Sequence, residues 1–197
     1  TLIQRRSLRE PLASALSKID RNIINRVYQQ TGVTKAIETF YENRRKALLV
    51  MATGSGKTRT AIALVKALME SQNVKRVLFL ADRVNLVEQA RDNFATLYPS
   101  TTTANVLDKV SDEARDLNAR IIFSTYQSMM GLIEQKRADG TDLFGVGHFD
   151  LIIVDESHRS LYNKFGILFE YFDSMLLGLT ATPKRELGIN TFKTFEL

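Results

Sequence analysis

The sequence contains no cysteine, and this absence removes several kinds of chemistry. Disulfide bonds, zinc sites built on thiolates and cysteine nucleophiles are all excluded. A chain without disulfides fits a reducing cytoplasm. The sequence also has no apolar run near the length of a membrane span, and no signal peptide of basic and apolar residues opens it. These absences together predict a cytoplasmic protein with no membrane partner.

The length and composition suit a globular protein built on one large domain. The 197 residues are 44% hydrophobic and 25% charged, which allows a sizeable core. The formal net charge of +5 is compatible with a polyanionic partner such as nucleic acid, although many globular domains carry such a charge. Because the sequence starts at Thr1 rather than at a methionine, we expect it to be a piece of a longer protein.

Short, nearly continuous apolar runs alternate along the chain with stretches of helical spacing. The predicted strands are residues 47–51, 77–81, 105–107, 120–124, 151–154 and 174–179. The predicted helices are residues 12–27 as one or two helices, 33–42, 58–70, 84–97 and 127–136, with residues 28–32 interrupting the pattern. This alternation predicts an α/β fold whose mostly parallel sheet has helices on both faces, plus an N-terminal helical extension.

The chain is expected to divide into two parts of unequal size. Residues 1–20 are predicted to form a linker or helical arm, and residues 21–197 the domain itself. The aromatic residues near the end of the domain are expected to pack against the sheet rather than to stack on bases. They are Phe165, Phe169, Tyr171 and Phe172.

Residues 47–58, ALLVMATGSGKT, form the clearest functional pattern, because a strand, a glycine loop and a helical stretch follow in order. Glycines let the backbone bring its N–H groups against phosphate oxygens, and the helix dipole favours negative charge there. Lys57 would reach the β- and γ-phosphates, and the Thr58 hydroxyl would take a Mg²⁺ site. The predicted nucleotide ligands are Thr53, Gly54, Ser55, Gly56, Lys57 and Thr58. The alternative is a glycine-rich turn that binds nothing, and Met51 stands where such loops usually carry glycine.

Asp155 and Glu156 follow four apolar residues and form the second functional pattern. A strand-end aspartate can hold Mg²⁺ directly or through water, and an adjacent glutamate can orient or deprotonate the attacking water. The alternative is a pair of acidic loop residues without a function. Because the carboxyl ends of parallel strands carry the sites of such sheets, both patterns are expected in one composite site.

Asp155-Glu156-Ser157-His158 resembles the DExH box of superfamily 2 helicases and translocases. Residues 51–58 resemble motif I of that superfamily, and residues 180–183, TATP, resemble its motif III. The segments around Asp82-Arg83 and Ser124-Thr125 are similar to its nucleic-acid motifs, and Tyr28-Gln29 to its adenine-reading element. Four segments are most similar to the motor subunit of type I restriction enzymes. They are VMATGSGKTRTAIAL, LFLADRVNLVEQA, FDLIIVDESHRS and GLTATPKR.

The resemblance implies a RecA-like P-loop NTPase domain, the first of two such motor domains, without the second motor domain or the nuclease domain. It implies ATP and Mg²⁺ as cofactors, with Lys57, Asp155, Glu156 and His158 in catalysis. Tyr28 and either Gln29 or Gln30 would read the adenine, and Thr58 and Asp155 would hold the metal. Nucleic-acid contact or coupling would fall to Arg83, Thr125, Gln127, Thr180 and Thr182. The implied partners are duplex DNA, the second motor domain, and specificity and methyltransferase subunits.

Two other functions remain open from the sequence. An RNA helicase or DNA-repair helicase of the same superfamily would use the same mechanism on a different nucleic acid, and no residue pattern here reads the sugar. A nucleotide-binding module without turnover of its own is the other possibility, because no arginine in the sequence is placed to act as the finger that stabilises the transition state.

Overall fold

We analysed a computed structural model of the chain, which describes residues 11–42, 44–107, 117–155, 159–181, 185–186 and 189–190. The helices are a 3₁₀ helix at Leu12–Lys18, α1 (Val27–Tyr41), α2 (Lys57–Glu70), α3 (Val84–Leu97), α4 (Tyr126–Ile133) and α5 (Arg159–Tyr171). The strands are β1 (Lys46–Val50), β2 (Val77–Ala81), β3 (Thr103–Asn105), β4 (Ile121–Thr125), β5 (Leu151–Val154), β6 (Met175–Thr180), β7 (Arg185–Glu186) and β8 (Ile189–Asn190). Among these helices, none is both long enough and apolar enough to cross a membrane.

The first six strands form one sheet in the order β1-β6-β5-β2-β4-β3, and every neighbouring pair is parallel. β7 and β8 pair with each other in an antiparallel ribbon. The parallel α/β fold predicted from the alternation of strands and helices is therefore confirmed. Parallel strands need crossover connections, and α2, α3, α4 and α5 supply those from β1 to β2, β2 to β3, β4 to β5 and β5 to β6.

The sheet separates two hydrophobic cores, and β2 shows how one strand serves both. Val77 and Phe79 pack into the core that contains α1, α2 and α3, whereas Leu78 and Leu80 pack into the core that contains α4 and α5. All five residues of β2 are buried. Successive side chains of a strand point to opposite faces, so a strand covered on both faces must be apolar throughout.

The predicted interruption at residues 28–32 is wrong, because α1 runs without a break from Val27 to Tyr41 and carries Gly32 in its interior. Glycine costs about 1 kcal/mol in a helix, which burial of apolar side chains on one helix face exceeds. The buried apolar residues of α1 are Val33, Ala36, Ile37 and Phe40. Tertiary packing therefore overrides the local preference.

The helical pattern predicted for residues 12–27 is only partly confirmed. The 3₁₀ helix ends at Lys18, and residues 19–26 connect it to α1 without helical structure. The Asp20 carboxylate accepts the Asn22 N–H at 2.8 Å and contacts Lys66 Nζ of α2 at 2.6 Å. This local side-chain hydrogen bond competes with continuation of the helix. Ala15 of the 3₁₀ helix is nevertheless fully buried in the same core as α2.

Smaller differences at the ends of elements have local causes. β3 lies at Thr103–Asn105 rather than at residues 105–107, and the Asn105 side chain accepts the Leu107 N–H at 3.0 Å, which turns the chain away from the sheet. α4 ends at Ile133 rather than at residue 136, since Lys136 pairs with Asp142 across a short turn. The expected packing of aromatic residues is confirmed for Phe165 and Phe172, which are buried in the second core.

His148 lies in an aromatic cluster three residues before the start of β5. Its ring meets those of Phe144 and Phe149 edge to face at centroid distances of 4.9 and 4.8 Å. Its Nε2 atom is buried and has no hydrogen-bond partner among the described residues. Burial lowers the pKa of His148 from 6.5 to about 4, with a smaller contribution from the charges of Arg76 and Arg137.

This lowered pKa predicts a loss of stability in mild acid. The unfolded chain binds a proton at His148 below pH 6.5, whereas the folded chain does so only near pH 4. The contribution of His148 is therefore fully present above pH 6.5 and is lost toward pH 4, with a slope of at most about 1.4 kcal/mol per pH unit. The measurement is urea unfolding at several pH values for the natural chain and for His148→Phe. The variant should show a flatter curve in this window, and two parallel curves would contradict the assignment.

Candidate nucleotide-binding site

The glycine loop joins β1 to α2 at the carboxyl edge of the sheet. Gly54 has a φ of 75° and Gly56 a φ of 91°, both in the left-handed region that favours glycine. Gly56 is also the N-cap of α2. Because glycine has no side chain, no N-cap side chain accepts a hydrogen bond from the first backbone amides of α2. The amides and the helix dipole therefore favour an anion at this end of α2.

Met51 occupies the position where a glycine was expected, and its surroundings explain why another residue fits. The Met51 N–H donates to the Thr180 carbonyl at 2.9 Å, which extends the pairing of β1 with β6 by one residue. Among the described residues, only Gln72 and glycines have a positive φ. Met51 therefore continues the strand, and its position needs no conformation reserved for glycine.

The start of α1 lies against the glycine loop. The Tyr28 hydroxyl and the Gln29 side-chain amide both donate to the Ser55 carbonyl, each at 3.0 Å. The Gln29 side-chain oxygen accepts the Arg26 N–H at 3.4 Å, and Gln29 is only 3% exposed. Gln30 instead donates to the Ile24 carbonyl. Of the two glutamines that the sequence left open, Gln29 is therefore the one beside the loop.

A cavity of about 460 Å³ opens between α1 and the loop. Its lining combines an aromatic ring, small residues, apolar side chains and one lysine. The lining residues are Tyr28, Thr31, Gly32, Lys35, Leu49, Val50, Met51, Ala52 and Ser55. A concave site with an apolar wall and a few polar groups suits a planar heterocyclic base.

Asp155 directly follows β5 at the same edge of the sheet. Its N–H donates to the Leu80 carbonyl of β2 at 2.9 Å, which fixes the backbone where the strand ends. Only β6 separates β5 from β1, so the two strand ends are about 10 Å apart. Glu156, His158 and Thr182 lie outside the described residues, and their roles remain predictions.

The residues present fit a magnesium site that is completed by nucleotide phosphates. The described residues contain no cluster of three side chains able to form a metal site by themselves. Mg²⁺ commonly binds through one or two protein oxygens together with phosphates and waters. Thr58 in the first turn of α2 and Asp155 after β5 can supply such oxygens from the two strand ends.

The residues predicted to contact nucleic acid divide into exposed and buried ones. Arg83 at the start of α3 and Gln127 in the first turn of α4 are exposed. Thr125 is 8% exposed, and its hydroxyl accepts the Ser128 N–H at 3.2 Å as the cap of α4. Thr180 is fully buried. Arg83 and Gln127 can therefore reach a ligand, whereas Thr125 holds the start of α4 in place.

Tyr126 is a residue at the site that the sequence patterns did not single out. It directly follows Ser124-Thr125 in the segment that resembles a nucleic-acid motif, and its hydroxyl donates to the Asp155 carbonyl at 3.3 Å. A hydroxyl directly after a buried strand and next to Thr125 was a signal available in the sequence. Its partner, 29 residues further along, was not visible there.

The glycine loop on β1, the aspartate on β5 and the single strand between them define a P-loop nucleotide-binding domain with a RecA-like sheet. The sequence profile of the family described as "Type III restriction enzyme, res subunit" matches residues 22–185. The chain belongs to this family. It is a superfamily 2 motor domain, and it corresponds to the first RecA-like domain of that architecture.

Three similar proteins illustrate the relationship. The EcoAI endonuclease subunit of a type I restriction enzyme from Escherichia coli is 38% identical over 174 residues, which cover 86% of this chain and 21% of that protein. A fragment of a putative HsdR subunit of a type I restriction enzyme from Vibrio vulnificus YJ016 superposes with a TM-score of 0.68 at 26% identity, covering 98% of this chain and 32% of that one. A nuclease-deletion mutant of the Type ISP restriction-modification enzyme LlaGI, in complex with a DNA substrate mimic, gives a TM-score of 0.61 at 27% identity. The match covers 82% of this chain and 18% of that one.

The chain therefore spans about a fifth of the length of the curated relative EcoAI, at 21%. The region in common includes the glycine-loop strand, the DExH strand and the helices between them, since the family match runs from residue 22 to residue 185.

Substitution of the two loop glycines by alanine should lower the free energy of unfolding by different amounts. An alanine at Gly54 meets no atom within 4 Å, so Gly54→Ala should cost only the left-handed φ, about 1 kcal/mol. An alanine Cβ at Gly56 would lie 2.5 Å from Gln29 Nε2, and that side chain is buried and hydrogen-bonded at both ends. Gly56→Ala should therefore cost about 1–2 kcal/mol more than Gly54→Ala in urea unfolding.

A double-mutant cycle with Gln29→Ala checks the cause of this difference. The added cost of Gly56→Ala should shrink when Gln29 is truncated, because the atom that the new methyl group meets is gone. Equal costs for the two glycines, or a cycle without coupling, would contradict the contact between Gln29 and the loop.

Proposed function

We propose that this chain is the ATP-binding motor domain of a DNA-dependent ATPase and translocase, in which ATP hydrolysis drives movement along duplex DNA in the parent protein. The observation that carries the proposal is the meeting of three features at one edge of the sheet. These are the glycine loop before α2, the cavity lined by Tyr28 and Ser55, and Asp155 directly after β5. Family membership supports the proposal, because the similar proteins are subunits of restriction enzymes.

In this proposal the loop holds the phosphates and the two strand ends hold the metal. The backbone amides of residues 53–58 and the Lys57 ammonium would bind the β- and γ-phosphates. Thr58 and Asp155 would bind Mg²⁺, which would neutralise charge on the phosphates. Glu156 would orient the attacking water, and His158 would link the γ-phosphate region to Thr180 and Thr182.

Adenine is proposed to bind in the cavity beside α1. Gln29 is buried and does not line the cavity, so it would act on the base through the Ser55 carbonyl that it holds, because Ser55 does line the cavity. Tyr28 is 46% exposed and can cover one face of a planar base. The lining of this cavity therefore favours a nucleoside triphosphate over inorganic phosphate.

The nucleic acid is proposed to lie along the carboxyl edge of the sheet, where Arg83 and Gln127 are exposed. Thr125 would act by positioning α4, because its side chain is buried. The similar LlaGI structure was determined with a DNA substrate mimic, which supports DNA as the partner. We place residues 1–20 in a linker or helical arm and residues 21–197 in the motor domain.

The parent protein is proposed to be a cytoplasmic restriction enzyme subunit. A second RecA-like domain would close over the nucleotide, and specificity and methyltransferase subunits would direct the motor to its DNA. We expect the chain alone to turn over ATP slowly, since an arginine supplied from outside a P-loop domain can contribute roughly 10³–10⁵ in rate.

Lys57→Ala tests the phosphate site directly. The variant should lose at least about tenfold in affinity for ATP·Mg²⁺, because the contact with the β- and γ-phosphates is charge-assisted. The measurement is calorimetric titration of the purified chain. Lys75→Ala is the matched control, since Lys75 is an exposed lysine before β2, at the opposite edge of the sheet. Equal affinities for the natural chain and Lys57→Ala would contradict the P-loop assignment.

The parent protein with its partner subunits tests the motor function. Its ATPase activity should rise with duplex DNA, and Glu156→Gln should keep ATP binding while losing at least about a hundredfold in stimulated turnover. Stimulation by RNA or single strands alone would instead indicate a helicase of another branch. Binding of ATP without stimulation by any nucleic acid would indicate a nucleotide-binding module.

A further inference from the structure

Tyr126 is the first residue of α4, and it joins three parts of the domain. The residue is only 1% exposed. Its hydroxyl donates to the Asp155 carbonyl at 3.3 Å, across 29 residues of sequence. Its ring stacks on that of Phe165 with a centroid distance of 5.3 Å and an interplanar angle of 17°. One side chain therefore touches the end of β5 and the interior of α5 from the start of α4.

The carbonyl that Tyr126 contacts belongs to Asp155, which is proposed above to bind Mg²⁺ and which directly precedes Glu156 in the sequence. A peptide unit is planar, so the Asp155 carbonyl and the bond leading to residue 156 move together. The N–H of Asp155 is bonded to Leu80 of β2 at 2.9 Å. The Tyr126 hydroxyl therefore acts on the half of Asp155 that faces Glu156, while the sheet holds the other half.

The contact with Phe165 extends the link to α5. Phe165 has φ −123° and ψ 16°, which are not helical, and it marks the kink inside α5. α5 starts at Arg159, four residues after Asp155. The Tyr126 ring thus packs at the bend of the helix that follows the DExH segment, so a displacement of α4 acts on both sides of that segment.

The other end of this link is the surface proposed for nucleic acid. Gln127, the neighbour of Tyr126, is exposed in the first turn of α4, and Thr125 caps the same turn. A ligand that pulls on Gln127 would therefore act on the turn that carries Tyr126. The hydroxyl contact of 3.3 Å is longer than the usual 2.7–2.8 Å for a hydroxyl donor, so a shift of a few tenths of an ångström changes its strength.

We propose that Tyr126 is a positioning residue that couples nucleic-acid contact at the start of α4 to the Asp155–Glu156 peptide, and so adjusts ATP hydrolysis to the bound nucleic acid. This inference rests on the function proposed above. Tyr126 touches no phosphate and no nucleic acid in this scheme, and its effect passes through Asp155 and Phe165.

The test is Tyr126→Phe in the parent protein with its partner subunits. The change removes the hydroxyl and keeps the ring that packs on Phe165. It should lower the duplex-stimulated kcat about fivefold, as expected for loss of one hydrogen bond, and so lower the ratio of stimulated to unstimulated turnover. The KM for ATP and the affinity for duplex DNA should stay within about twofold.

Tyr171→Phe is a matched control, because Tyr171 also donates its hydroxyl to a backbone carbonyl, that of Phe144, at 2.7 Å. Tyr171 lies near the opposite edge of the sheet, at the end of α5, and its substitution should leave stimulated turnover unchanged. Unfolding temperatures of both variants report any general loss of stability.

Several results would overturn the inference. Equal stimulated kcat values for Tyr126→Phe and the natural protein would remove the coupling role while leaving the proposed motor function intact. A fivefold loss of DNA affinity with unchanged kcat at saturation would place Tyr126 in the nucleic-acid contact instead. A natural protein that binds ATP without any stimulation by nucleic acid would overturn the proposed function and this inference together.

Discussion

All six strands of the main sheet run in the same direction, and this constraint decides where the chemistry of the domain lies. Each strand ends at the same edge, so the residues that follow β1, β4, β5 and β6 meet there although they are far apart in sequence. The strands are apolar along most of their length, because both faces of the sheet are covered by helices. Polar residues are therefore concentrated where strands end, which is where the candidate site lies.

At the amino edge of the sheet, polar side chains join neighbouring strands. There the Asp150 carboxylate accepts the N–H groups of Lys75 and Arg76 at 2.8 and 3.1 Å, which ties the start of β5 to the start of β2. Arg45 forms an ion pair with Asp173, which ties β1 to β6. Polar groups at this edge are engaged with one another and hold neighbouring strands together. At the carboxyl edge, Ala52 and Ser55 of the glycine loop line a cavity.

The glycine loop depends on a helix that the sequence places well before it. Gln29 is 26 residues from Ser55, yet its amide fixes the Ser55 carbonyl and fills the space beside Gly56. The exposed parts of the same helix line the cavity proposed for the base. The cavity proposed for the base and the shape of the glycine loop therefore both depend on α1.

Apolar periodicity alone determined the class of the fold, the positions of β2, α3 and β5, and the edge at which the site lies, because burial on two faces leaves a continuous apolar signal. The glycine loop and the acidic pair were visible for a different reason, since their residue types are local requirements of phosphate and metal binding. Only the tertiary structure decided that α1 continues through Gly32, that Gln29 rather than Gln30 lies beside the loop, and that Tyr126 contacts Asp155. These features depend on contacts between segments that are far apart in sequence. The packing energy of such contacts exceeds the local conformational preferences that can be inferred from the sequence.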